Sequence, residues 1–191
     1  MILLKRILKW AGIILAGSFI LLVIVRAFHF YNLDKTNAVV EKIHATKLQL
    51  ADVMGGNLPP DPGIEADKTI EGIDFNKNGI RDDVEIAIFK EYPNSAKTRA
   101  VLLQYALALQ MQMTLPIVNK ETVIATAEEK SNANICTWDL GDNFEEYRNF
   151  VIKLQNNTKE REDYLNSIYV YLGSYSALSE GCHLDLSTLP K

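Results

Sequence analysis

Residues 95–115 read SAKTRAVLLQYALALQMQMTL, and Pro116 follows. Asn94 and Ser95 offer an N-cap, Pro116 offers a stop, and no glycine or proline interrupts the run, so the stretch reads as one long helix. No charged residue lies between Arg99 and Lys120. Such a helix is either a membrane span or the buried centre of a bundle, and the fold turns on that choice. Gln104, Gln110 and Gln112 decide it. Each carries an amide that hydrocarbon leaves unsatisfied, whereas a bundle surrounds it with partners. Pro116 also shortens the run. The stretch is read as the central core helix, and the chain on either side must then enclose it.

The flanking sequence supplies helices and no convincing alternating strand pattern. Asp34 to Met54 reads as a helix, capped by Asp34 or Thr36, with Val40, Ile43, Leu50 and Met54 at helical spacing; Gly55 and Gly56 stop it. Asn57-Leu58-Pro59-Pro60-Asp61-Pro62-Gly63 reads as an extended linker, and residues 64–73 as loop. A short helix is expected over 82–91 and a weaker one over 120–135. Asp142-Asn143-Phe144-Glu145 resembles a capping box, followed by Phe144, Tyr147, Val151 and Leu154 on one stripe. Asn157-Thr158-Lys159-Glu160 opens a last long helix whose stripe is Tyr164, Ile168, Tyr171, Tyr175 and Leu178, with Leu165 and Leu172 alongside. That stripe is read as core, each tyrosine hydroxyl reaching a polar partner at the edge. The fold class is all-α: an N-terminal transmembrane helix followed by an irregular helical bundle with one calcium-loop insertion.

The N-terminal segment differs from the rest in charge and in hydropathy. Of the 20 Lys and Arg residues, Lys5, Arg6, Lys9 and Arg26 fall in residues 1–33, which hold no acid; residues 34–191 hold 16 basic against 24 acidic residues. An acidic domain repels phosphate backbones, which excludes nucleic acid as a partner class. Trp10 to Val25 is an uninterrupted uncharged run, and with its apolar flanks it can exceed the length that a bilayer core of roughly 30 Å demands. Trp10 at one end and Phe28, Phe30 and Tyr31 at the other suit the two interfaces. Three basic residues before the run and one after it predict the N-terminus inside and the bulk of the chain outside. Arg26-Ala27-Phe28-His29-Phe30-Tyr31 is bulky where a signal peptidase needs small residues, so an uncleaved signal anchor is expected. The domains are then 1–33 anchor, 34–63 membrane-proximal helix and Pro-rich linker, and 64–191 α-helical domain.

Residues 74–85 carry the chemistry: DFNKNGIRDDVE. Ca²⁺ is a hard cation that takes six to eight oxygens. Asp74, Asn76 and Asn78 present oxygen-bearing side chains at loop positions 1, 3 and 5. Gly79 at position 6 permits a sharp left-handed turn. Ile80 offers its main-chain carbonyl at position 7, Asp82 stands at position 9, and Glu85 at position 12 lies in the first turn of the next helix, where it can chelate with both oxygens. The expected ligand set for one Ca²⁺ is therefore Asp74, Asn76, Asn78, Ile80, Asp82 and Glu85.

The loop resembles the EF-hand calcium loop, and more closely the short Asp/Asn-Gly calcium loops of bacterial secreted proteins and thrombospondin type-3-like repeats. It departs from the EF-hand at position 8, where Arg81 replaces the apolar residue that pairs with a partner loop, and upstream, where Pro59, Pro60 and Pro62 exclude an entering helix. The residues Leu58-Pro59-Pro60-Asp61-Pro62, Gly72-Ile73-Asp74 and Asn78 to Glu85 also resemble a group of uncharacterised proteobacterial envelope proteins. That resemblance covers about 28 residues of the 191 and implies no activity. It implies a structural calcium clip rather than a sensor.

Two cysteines, Cys136 and Cys182, stand near the ends of two helical units. Outside the cytoplasm they are expected to pair, and closing the long loop between them stabilises by roughly 4 kcal/mol in the chain-entropy model. His29, His44 and His183 stand in no triad or metal-ligand spacing, and no nucleophile-elbow, Walker, zincin or dinucleotide motif is present. The expectation is a non-catalytic protein of the inner (cytoplasmic) membrane, single-pass, its C-terminal domain periplasmic, that meets a protein partner. The alternatives are an envelope hydrolase with a calcium-organised site and His183 as acid or base, and an immunity-like inhibitor of a toxic effector. The hydrolase version requires several acids gathered in a pocket around the loop.

Overall fold

A computed structural model of the chain describes residues 2–173, 175–176 and 181–190. In these residues there are seven α-helices, two 3-10 turns and no strand. The helices are α1 (Ile2–Ala45), α2 (Leu50–Val53), α3 (Asp82–Glu91), α4 (Ala96–Thr114), α5 (Lys120–Cys136), α6 (Phe144–Gln155) and α7 (Lys159–Tyr169). The 3-10 turns are Gly63–Asp67, inside the segment read as loop, and Thr137–Leu140. The fold is all-α. The chain divides into two units, residues 1–38 and 39–191.

The first unit is helix. From Lys5 onward it is long and apolar enough to cross a membrane, and none of its most apolar window is buried. Side chains such as Trp10, Phe19, Leu22, Phe28 and Tyr31 are exposed. An apolar surface on all sides suits lipid rather than water.

The expected fresh helix start at Asp34 or Thr36 is absent, because no glycine or proline interrupts the chain between Ser18 and Ala45 and α1 runs through. Thr36 Oγ1 donates to Asn32 O at 2.8 Å, the back-bond of a mid-helix threonine rather than a cap. α1 ends instead at Ala45, and Gln49 N donates to Asp52 Oδ2 at 3.2 Å to open the short α2. Between them the Leu48 N–H donates to His183 Nδ1 at 3.1 Å. Ile43, Leu48 and Val53 are buried in the second unit, while Leu50 and Met54 face solvent.

The second unit is built around α4. Ser95 caps it, its Oγ accepting from Thr98 N at 3.2 Å. Every residue of α4 is buried except Lys97 and Thr114. The three glutamines meet neighbours on different sides. Gln104 donates to Gly181 O at 3.1 Å and accepts from His183 N at 2.8 Å. Gln110 donates to Glu71 O at 2.6 Å. Gln112 Oε1 accepts from the Tyr169 hydroxyl at 3.0 Å.

Arginines close the remaining carbonyls. Arg99 donates to Val53 O, Tyr92 O and Pro93 O at 3.0, 2.9 and 2.6 Å, and stacks on Phe89. Arg161, fully buried in α7, reaches Ala66 O, Thr69 O and Ile70 O at 2.5, 3.0 and 3.0 Å and pairs with Asp67 at 2.7 Å. α7 thereby holds the segment that leads into residues 74–85.

Two expectations about the late helices need correction. α6 starts as expected, but its N-cap Asn143 makes no side-chain cap hydrogen bond; Asn143 O accepts from Glu146 N at 3.0 Å instead. The last helix stops at Tyr169. Gly173 lies against Lys120 at the start of α5, and Cys182 is bonded to Cys136 at its end. Val170 and Tyr171 form a turn, and Leu172 and Gly173 follow it outside any helix. Tyr171 and Tyr175 are consequently exposed rather than core, while Leu165 and Ile168 are buried; Leu178 lies outside the described residues.

The disulfide joins Cys136 to Cys182 with a Cα–Cα distance of 4.9 Å. It ties the end of α5 to the tail that carries His183. Replacing both cysteines by serine is expected to lower stability by about 2–4 kcal/mol in denaturant unfolding, with secondary structure by circular dichroism unchanged.

Candidate metal centre

Residues 74–85 leave the Arg161-bound segment, turn sharply, and enter the first turn of α3. The turn needs left-handed backbone at Lys77 (φ 59°) and Gly79 (φ 86°). A Cβ on Gly79 would lie 2.7 Å from Leu107 Cδ1 of α4, so this position needs glycine for space as well as for conformation. Ile80 is buried in the core beside it. The loop is thus seated directly on the central helix.

Its side chains organise its own backbone. Asp74 accepts from Asn78 N at 3.1 Å and from Gly79 N at 2.9 Å. Asn76 Oδ1 accepts from Asn78 N at 3.3 Å, and Asn78 Oδ1 from Ile80 N at 2.9 Å. Both oxygens of Asp82 accept from Phe75 N, at 3.0 and 3.1 Å, while Asp82 N donates to Ile73 O at 2.8 Å. Asp82 therefore clasps the two ends of the loop. The Asn76 and Asn78 amides converge on Glu85 Oε2 at 3.0 and 3.1 Å.

Glu85 is the electrostatic centre of this arrangement. Its side chain is completely buried, and Oε1 has no hydrogen-bond partner. Burial pushes its carboxyl up to about 7; the Asn76 and Asn78 amides pull it down, and Asp52 and Asp82 push it further up. A buried carboxylate with one orphaned oxygen among neutral amides and two other acids lacks a positive partner. A divalent cation fits that donor set, with Asp74, Asn76, Asn78, the Ile80 carbonyl and Glu85 as oxygens that would hold it, and Asp82 directly or through water. Two contributors escape the motif because they come from the chain before it: Asp52, and the Asn57 carbonyl, which accepts from Asn76 Nδ2 at 2.8 Å.

The acids are not collapsed on one another. Among the described residues, the group of His, Cys, Asp or Glu whose ligand atoms all lie within 4.8 Å of one another is Cys136, Asp139 and Cys182. Its sulfurs are bonded to each other and offer no thiolate. Asp74, Asp82 and Glu85 do not form such a group, and the amides of Asn76 and Asn78 lie against Glu85.

Arg81, the departure from the EF-hand pattern, has a positive role. It is fully buried. Its guanidinium grips Asp83 with two bonds of 2.6 and 2.9 Å and donates to Leu154 O and Gln155 O at 2.6 and 3.3 Å. Those are the last carbonyls of α6, where the helix dipole favours a cation. The residue that joins paired EF-hand loops instead fastens this single loop to a helix C-terminus. Gly72 leaves room for it: a Cβ there would fall 2.3 Å from Arg81 Cδ.

Two of the three histidines that stood alone in the sequence, His44 and His183, do converge. Glu129 is buried, with His44 Nδ1 at 2.8 Å, Lys47 Nζ at 3.5 Å and His183 Nε2 at 3.7 Å. Burial works against its ionised form, but the His183, His44 and Lys47 partners outweigh it and hold the carboxyl below its ordinary value. Because His183 Nδ1 accepts from Leu48 N, the neutral ring carries its proton on Nε2, toward Glu129. The cluster locks the end of α1, α5 and the C-terminal tail together. Its residues are far apart in sequence (44, 47, 129, 183), so no local motif signals it.

The raised Glu85 has a measurable consequence. A group whose folded value lies above its unfolded one stabilises fully below the unfolded value and loses that contribution as pH rises through the folded one. In calcium-depleted buffer the melting temperature is expected to fall between pH about 4.5 and 7. Glu85→Gln should remove that fall, and a melting temperature with the same pH profile in both proteins would contradict it.

No family model, curated protein or solved structure matches the chain.

Proposed function

We propose that the chain is a non-catalytic, inner-membrane-anchored protein. Its domain lies in the periplasm, carries one structural Ca²⁺ and acts as a protein-interaction module. The observation that carries the calcium reading is Glu85: a fully buried carboxylate, one oxygen unpaired, at the loop position where a bidentate acid belongs. The orientation rests on the three basic residues before the apolar run and one after it. A disulfide belongs to an oxidising compartment, which agrees with that side of the membrane.

The clip reading is favoured over a calcium-organised hydrolase by what surrounds the loop. The cavity beside it is lined by Lys42, Lys77, Leu107 and Met111, with Asp74 as its carboxylate. His183 is held by Leu48 N and Glu129 in a different cluster. A general acid and base pair for hydrolysis is not assembled there. The interaction role rests on exposed apolar side chains on and near the loop: Leu50, Met54, Leu58, Ile64 and Phe75. An immunity-like inhibitor is one form such a module takes, and the acidic surface suits a basic partner.

Two measurements test this reading. A reporter that is active only in the periplasm, fused after Lys191, should be active in cells; a cytoplasmic signal would reverse the orientation. Affinity capture of the full chain from envelope extracts should recover a protein partner whose yield drops when calcium is chelated. Phe75→Ser should lower that yield with no change in melting temperature, and capture that depends on neither calcium nor Phe75 would sink the interaction role.

A further inference from the structure

Helices α4, α5, α6 and α7 enclose a second cavity of about 320 Å³, none of whose lining residues belongs to the loop at 74–85. That volume is at the lower end of small-molecule sites. Its charge runs against the domain. Lys130 and Arg148 line it, and among the described residues no carboxylate does, in a chain whose residues 34–191 have an excess of acids. Arg148 has a carboxylate near it in Glu145, 3.7 Å away and largely exposed.

The hydrogen bonds inside the cavity leave donors unused. Lys130 Nζ donates to the Tyr169 hydroxyl at 2.8 Å, and that hydroxyl donates to Gln112 Oε1 at 3.0 Å. This relay fixes the Gln112 amide: its oxygen is taken, so its nitrogen points the other way. That nitrogen is buried and has no partner. Arg148 is held in place by Asn134, another lining residue, whose Oδ1 accepts from one of its nitrogens, and by Phe144, whose ring centre lies 5.0 Å from the guanidinium. Tyr105, buried on α4, adds a hydroxyl to the same wall. Two cations line this cavity, and the buried amide of a third lining residue, Gln112, keeps an unpaired donor; together they lack an acceptor with negative charge.

We propose that this cavity binds a small oxyanion-bearing organic ligand, a carboxylate or a phosphate ester, held by Lys130, Arg148 and the Gln112 amide. The apolar part of the ligand packs on Ile152 and Leu172, which form the rest of the wall. The site is independent of calcium, and its failure leaves the reading of the loop untouched.

The test is calorimetric titration of the full chain in detergent micelles with three probes: benzoate, inorganic phosphate and the neutral isostere benzamide. Benzoate, phosphate or both should bind at one site with a dissociation constant below about 10 mM, and benzamide should not. Benzoate without phosphate identifies a carboxylate ligand, and phosphate without benzoate a phosphate. Lys130→Gln and Arg148→Gln should each weaken binding roughly tenfold or more. Gln112→Glu, near-isosteric but an acceptor in place of the donor, should abolish it, and Lys130→Arg should retain it. Absence of heat with both anions, or benzamide binding as well as benzoate, would overturn the proposal without recourse to any variant. So would anion binding that the two glutamine variants leave unchanged.

Discussion

Helix α4 has almost no face for water. Lys97 and Thr114 stand at its two ends, and everything between is buried. A helix of this kind is stable only when other chain surrounds it, and an amide buried within it must find a partner on whichever side it points. Its glutamines distribute those partners over the molecule. Gln110 takes the segment before the loop, Gln104 takes the tail beside the disulfide, and the Gln112 oxygen takes α7. The architecture is irregular because its centre makes these several demands at once rather than packing against one parallel neighbour.

The loop at 74–85 is fastened to that centre from three directions. Gly79 touches Leu107, Arg81 holds the end of α6, and Arg161 holds the segment just upstream. Arg161 is satisfied largely by main-chain carbonyls and Arg81 by Asp83 together with the last carbonyls of α6, so each buried charge is compensated. The loop is preformed by its own Asp and Asn side chains, yet Glu85 is left with an unpaired buried oxygen. A cation among these oxygens would compensate Glu85, which no arginine hydrogen bond reaches among the described residues. This is the physical basis for a clip: binding energy of the ion becomes stability of the loop against α4.

Much of this was legible in the sequence because it is local. The three glutamines and Pro116 marked α4 as core, Ser95 as its cap, and the spacing of Asp74, Asn78, Gly79 and Glu85 as a turn with convergent oxygens. The boundary of α3 at 82–91 followed from the same motif. What was hidden depends on distant chain. α1 runs past Asp34 because helix propensity alone does not stop it, and it ends only where Leu48 meets His183, 135 residues on. α7 stops at Tyr169 although its pattern continues, and the tail beyond it is tied to the end of α5 by the disulfide. The Glu129 cluster and the contributions of Asp52 and Asn57 to the loop share this character: each is a tertiary contact with no local spacing to announce it.

The central claim is that Glu85 and its neighbours hold one calcium ion. Isothermal titration of the full chain in detergent with CaCl₂ tests it most directly. One site filled at or below millimolar calcium, retained in Lys130→Gln and lost in Asp74→Ala and in Glu85→Ala, is the predicted result. No heat and no thermal shift at millimolar calcium, or binding that survives both substitutions, would contradict it.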